Sequence, residues 1–129
     1  MSEPIWIDLE VVLAIHDEQL AEHGGQARVR DRGLLESALA RPCNQFEYGE
    51  SSLARLAAAY AFGISGNHPF LDGNKRTSLV VAELFLELNG IELAASDAAC
   101  VATFLSLAAG ELSEEDLAHW VTESSRAAR

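Results

Sequence analysis

Apolar residues recur along the chain at helical spacing, and the residues that cap or stop helices fall between those runs. Leu9, Val12, Leu13 and Leu20, with Glu10, Asp17 and Glu18 between them, predict a helix capped by Asp8 and stopped after His23 by Gly24-Gly25. Ahead of it Ile5-Trp6-Ile7 reads as a short strand. A polar, arginine-bearing stretch over residues 26–30 leads to Asp31, which caps a short helix that Pro42 closes after Arg41. Residues 43–50 then read as a loop or small hairpin. Ser51 or Ser52 opens a helix over residues 53–64, ended by Gly63-Ile64-Ser65-Gly66. The next runs from about Asn74 to Asn89-Gly90, with Ile91 placed for a C-terminal hydrophobic contact. Ser96-Asp97 starts another, which ends near Gly110. Ser113 opens the last, with Glu114, Glu115 and Asp116 in the first turn, where the helix dipole favours negative charge. The tail after about Ser124 is expected to fray.

Two of these helices, residues 53–64 and 79–88, are apolar on almost every face, which marks core helices surrounded by others. In the second only Glu83 and Glu87 are charged, and their spacing puts them on one narrow exposed strip. The expected fold is all-α: a single domain of about six helices around a central buried helical hairpin, connected through residues 65–73.

Composition narrows the function. With 129 residues, 49% of them hydrophobic, the chain can bury about two-thirds of its unfolded surface in one core. Its longest apolar run, residues 56–64, is far short of the roughly 20 needed to cross a bilayer, so no membrane partner is expected. Met1-Ser2-Glu3-Pro4 has no basic region ahead of an apolar run. Cys43 and Cys100 are too few for a disulfide framework and read as reduced, in a cytoplasmic protein. Twenty acidic residues against nine basic ones give a net charge of −11, which opposes direct nucleic-acid binding. The basic residues are arginines except Lys75, and Lys75-Arg76 stands isolated between Arg55 and Arg126.

That pair falls in the first turn of the second core helix, after Gly66-Asn67-His68-Pro69-Phe70-Leu71-Asp72-Gly73-Asn74. Cations there are disfavoured by about 0.3–1 kcal/mol each, so their placement makes sense if a polyanion sits over the turn. Gly73 lets backbone approach closely, Asp72 supplies a hard oxygen for Mg²⁺, and Asn74 can orient an oxygen. His68 is the one nearby residue of a type suited to base catalysis near neutrality. Phe70 would anchor the loop in the core and Pro69 stiffen its approach. Taken singly, most of these features are commonplace: a histidine before a proline is usually structural, and Asp-Gly-Asn is a generic turn with a cap. His16, His23 and His119 have no convergent partners by spacing and read as surface or packing residues.

The whole string, His68-Pro69-Phe70-x-Asp72-Gly73-Asn74-Lys75-Arg76, resembles the signature of the Fic/Doc family, and specifically its death-on-curing (Doc) toxins from bacterial toxin–antitoxin modules. Similarity extends to Leu13-Ala14-Ile15-His16-Asp17, to Asp31-x-Gly33-Leu34-Leu35-Glu36-Ser37-Ala38-Leu39, and from Thr77 to Asn89-Gly90. AMP-transferring members carry Gly where this chain has Lys75 and Arg where it has Leu79; the chain follows the Doc pattern at both. The resemblance implies an ATP-dependent kinase that phosphorylates a protein hydroxyl, a threonine of elongation factor Tu, and arrests translation. It implies His68 as general base, Asp72 as Mg²⁺ ligand, and Gly73, Asn74, Lys75 and Arg76 as the anion hole. It also makes residues 43–50 a flap that holds the target by edge pairing. Some Doc toxins have an arginine where Gly66 stands, a phosphate contact this chain lacks. No Glu is followed by Gly or Asn, so the family's internal inhibitory helix is absent and restraint would fall to a separate antitoxin chain. Two other classes remain open: AMP transfer to a protein hydroxyl, and a non-catalytic helical binding module.

Overall fold

A computed structural model describes residues 2–128 of the chain. Its elements run α1 (Leu9–His23), α2 (Arg32–Glu47), α3 (Leu53–Asn67), α4 (Asn74–Leu88), β1 (Ile91–Leu93), α5 (Asp97–Ala108), α6 (Glu114–Ser124) and β2 (Ser125–Ala127). The fold is therefore mostly helical, as the periodicity predicts, with one small antiparallel sheet pairing Ile91 with Ala127 and Leu93 with Ser125. No helix among the described residues is long and apolar enough to cross a membrane.

The centre of the fold is α3, packed against α2, α4 and α6. Its run of Ala57, Ala58, Ala59 and Ala61 is fully buried, and these small side chains let neighbouring helices come close. Around it Leu35, Leu56, Tyr60, Ile64, Phe85, Leu86, Phe104 and Leu117 complete one continuous apolar cluster. The hairpin of α3 and α4 is thus the buried core unit, and its connection holds the residues singled out above.

Several boundaries differ from the pattern. Pro42 does not end α2, which continues to Glu47. Proline has no N–H for the carbonyl of Ala38, four residues earlier. At that point α3 packs closely: a Cβ on Gly63 would lie 3.2 Å from Ala38 Cα and 3.3 Å from its carbonyl oxygen. The helix on both sides of Pro42 is held from outside, by Phe46 edge-on to Trp6 at 5.7 Å and by Arg41 and Gln45, which both donate to Glu114. Residues 43–47 are accordingly helical, only residues 48–50 form the turn into α3, and no hairpin forms; the segment lies at the start of α3, about 20 Å from its far end by helix rise. Gly63 and Gly66 likewise do not stop α3, because tertiary contact at Gly63 outweighs their weak helix propensity.

Residues 5–7 form no strand and bond instead to side chains. Asn89 accepts from Ile5 N–H at 2.8 Å and donates to its carbonyl at 3.0 Å, while Tyr60 Oη accepts from Ile7 N–H at 3.0 Å. The tail does not fray after Ser124: residues 125–127 form β2, fastened by Arg126–Glu92 at 3.1 Å and by Ala128 N–H on Gly90. Finally, Glu87 is exposed but Glu83 is half-buried. Burial raises the Glu83 carboxyl above its usual range, with the charges of Glu87 and Asp97 adding to the effect.

Candidate active site

Five of the six described helices begin at a residue whose side chain accepts a backbone N–H: Asp8, Asp31, Ser52, Ser96 and Ser113. The exception is α4. Its N-cap is Gly73, at φ 81°, with no side chain to offer. The first carbonyl used within the helix is that of Gly73, taken by Thr77 N–H at 3.0 Å. The N–H groups of Asn74, Lys75 and Arg76 therefore point out of the helix start, together with the positive end of its dipole. Among the described residues neither Lys75 nor Arg76 takes part in an ion pair. A helix start with extra cations and no side-chain cap suits an anion by its electrostatics.

The loop in front of it is rigidly built. α3 closes on His68 in the left-handed conformation (φ 52°, ψ 53°), its N–H on the Ile64 carbonyl at 3.1 Å. His68 is the only described non-glycine residue with positive φ, a conformation that costs about 1–2 kcal/mol in an L-residue. Pro69 and Phe70 then turn inward and are buried, and burial of the Phe70 ring stabilises the loop by roughly 1.5–3 kcal/mol. Asn74 is 5% exposed, and its amide brackets Phe70: Oδ1 accepts from Phe70 N–H at 3.0 Å and Nδ2 donates to Phe70 carbonyl at 2.9 Å. The Asn74 side chain is thus committed to the loop, and what Asn74 presents toward an anion is its backbone N–H. That differs from the expectation that its amide orients a ligand oxygen.

A cleft of about 280 Å³ lies over this turn, lined among others by His68, Asp72, Gly73, Lys75, Arg76 and Ala108 of α5. His68 and Asp72 are exposed, Lys75 and Arg76 half-buried. One opening therefore brings together an imidazole, a carboxylate, two cations and an uncapped helix start. Asp72 Oδ2 accepts from Gln26 N–H at 2.9 Å, which leaves Oδ1 outside any hydrogen bond among the described residues. No group of three or more His, Cys, Asp or Glu able to hold a metal occurs among those residues. A single carboxylate suits Mg²⁺, which takes one or two carboxylates and fills its shell with phosphate oxygens and water; Zn²⁺ needs three or four protein ligands.

Three contributors lie outside the string of residues 68–76. His16, from α1, is 2% exposed, stacks on Phe70 with ring centroids 3.7 Å apart, and meets the Asp72 carbonyl at 2.8 Å through Nε2. A carbonyl only accepts, so Nε2 carries the proton. His16 thus has a partner that spacing did not reveal; the available signal was its place in the buried series Val12, His16, Leu20. The segment after α1 crosses the loop as an edge, with Val29 bridged to Phe70, Leu71 N–H on the Arg28 carbonyl and Gln26 on Asp72. Residues 25–31, rather than 43–50, are therefore the segment that pairs with the loop. Third, Arg30 donates from Nε to the His68 carbonyl at 2.8 Å and from Nη2 to that of Asn67 at 3.0 Å.

Residues 6–86, which contain α1 to α3, the whole loop and all but the last two residues of α4, match the model of the Fic/DOC family. The chain belongs to the Fic/DOC family. Within it, 75 residues are 47% identical to the protein named Toxin Doc of Mycolicibacterium smegmatis, covering 56% of this chain and 57% of that relative's length. A longer alignment, 33% identical over 113 residues, covers 87% of this chain and 89% of the protein named Protein kinase doc of Escherichia phage P1. The Fic/DOC match stops short of α5 and α6, yet α5 supplies Ala108 to the cleft wall.

Proposed function

We propose that this Fic/DOC chain is the toxin of a toxin–antitoxin pair and transfers the γ-phosphoryl group of ATP to a protein hydroxyl. The observation that carries the proposal is the uncapped, doubly cationic start of α4, opening onto the same cleft as His68 and Asp72. The names of the two relatives, a toxin and a protein kinase, support it.

The polyphosphate would seat on the N–H groups of Asn74, Lys75 and Arg76, with Gly73 allowing close approach and the two cations neutralising charge. His68 would take the proton from the acceptor hydroxyl as its oxygen bonds to the γ-phosphorus. The bond from that phosphorus to the β–γ bridging oxygen breaks, and ADP departs with the electron pair. Asp72 would hold Mg²⁺ through its carboxylate, and the ion would supply further neutralisation of phosphate charge. Little covalent work falls to the protein in such a transfer; positioning and charge do most of it. The acceptor chain would lie along residues 25–31, whose edge already pairs with the loop. A threonine of elongation factor Tu is the acceptor that the family resemblance implies, and a separate antitoxin chain is the restraint it implies.

AMP transfer is the second reading, favoured by the shared His68-Pro69-Phe70 and Asp72-Gly73 elements but not by Lys75 and Leu79. Incubation with a bacterial lysate, Mg²⁺ and ATP labelled at the α or the γ phosphate separates the two. Label arriving in protein from the γ position alone is expected; label from the α position alone rules out the kinase. A non-catalytic module would leave growth inhibition intact in His68→Ala, whereas loss of inhibition is expected.

A further inference from the structure

We infer that Arg30, outside the family string, is a positioning residue that holds His68 in its catalytic pose; the inference rests on the phosphoryl-transfer reading. Three consecutive carbonyls at the base, those of Asn67, His68 and Pro69, all accept from this one residue. Its Nη2 reaches Asn67 at 3.0 Å, its Nε reaches His68 at 2.8 Å, and its own backbone N–H reaches Pro69 at 2.7 Å. The first two carbonyls belong to the C-terminal end of α3, which carries the negative end of a helix dipole and favours a cation. The third lies just beyond the left-handed His68, the one described non-glycine residue with positive φ. Such a conformation persists only where its surroundings over-determine it.

The requirement is for arginine in particular. Two parallel N–H donors on a planar fork match two successive carbonyls, whereas a lysine ammonium is a point charge on a flexible stem. α3 itself supplies nothing equivalent from Gly66, which has no side chain. The opposite flank of the loop, toward α4, is fixed separately through Asn74 and His16. Loss of the Arg30 fork therefore releases the base and leaves the phosphate seat in place.

Arg30 is exposed, so Arg30→Ala and Arg30→Lys are both expected to fold. In γ-phosphoryl transfer, Arg30→Ala is expected to lower kcat about ten- to a hundredfold with KM for ATP unchanged, and Arg30→Lys to recover little of it. The His68 Cε1–H resonance, one narrow signal in the parent protein, is expected to shift and broaden in both variants. An unchanged kcat, a raised KM at constant kcat, or an unmoved His68 resonance would each overturn the assignment. If the parent protein transfers no phosphate at all, the transferase reading fails, and the His68 resonance still decides whether Arg30 holds that residue.

Discussion

Asn74→Ala separates a side chain that builds the loop from one that binds a ligand. The Asn74 amide makes two hydrogen bonds, at 3.0 and 2.9 Å, to the backbone of a single residue, Phe70, whose side chain is fully buried. Truncation leaves one N–H and one carbonyl without partners in the interior. Each such group costs about 1–3 kcal/mol, so about 2–6 kcal/mol is at stake. Asn74 borders the cleft, and water entering there would hold the loss toward the lower half, about 2–4 kcal/mol. For a chain of this length 1 kcal/mol moves Tm by roughly 3–5 °C, giving an expected fall of about 6–20 °C in the ligand-free protein. Calorimetry on Asn74→Ala without nucleotide measures it. Asn74→Asp keeps the acceptor, loses the donor, and should fall in between. A ligand-free Tm equal to the parent's, with ATP affinity alone reduced, would refute the assignment of this amide to the loop.

Lys75→Ala removes a cation from an unfavourable place at a helix start, so the ligand-free protein should be no less stable. Its affinity for Mg²⁺ and ATP should fall about 10- to 100-fold by calorimetric titration, the worth of one charge-assisted contact. Gly63→Ala places a methyl 3.2 Å from Ala38 Cα and Cβ and should cost about 1–3 kcal/mol in denaturant unfolding, without altering ATP affinity. Glu83→Gln should stabilise the protein at neutral pH, because burial raises the Glu83 carboxyl in the folded state and its ionisation therefore opposes folding. The folded state holds that proton more tightly than the unfolded one, so this contribution to stability is full at low pH and is lost as pH rises through the raised value. The Tm difference between Glu83→Gln and parent should close as pH falls to about 4.5, the ordinary carboxyl value.

What the sequence disclosed of this fold is what is decided locally. Asp8, Asp31, Ser52, Ser96 and Ser113 act within three residues of themselves, and each starts a helix where the pattern puts one. The loop string was readable for the same reason: His68, Asp72, Gly73, Lys75 and Arg76 are near neighbours in the chain and line one cleft. The misplaced boundaries depend on distant contacts. Pro42 is tolerated because the far turns of α2 are tied to Trp6 and Glu114, and Gly63 continues its helix because Ala38 lies against it. β2 is three residues of small and polar character, too short for alternation to register, and it exists through pairing with β1. His16 meets its partner 56 positions away and Arg30 meets His68 38 positions away, separations that no spacing rule spans.

Isotope-labelled protein titrated with Mg²⁺ and a non-hydrolysable ATP analogue tests the phosphate seat most directly, through its backbone amide resonances. The largest, saturable shifts should fall on Gly73, Asn74, Lys75 and Arg76 at the start of α4. Shifts centred instead on the broad polar depression beside Arg41, Asn44 and Tyr48, with those four amides unmoved, would contradict it.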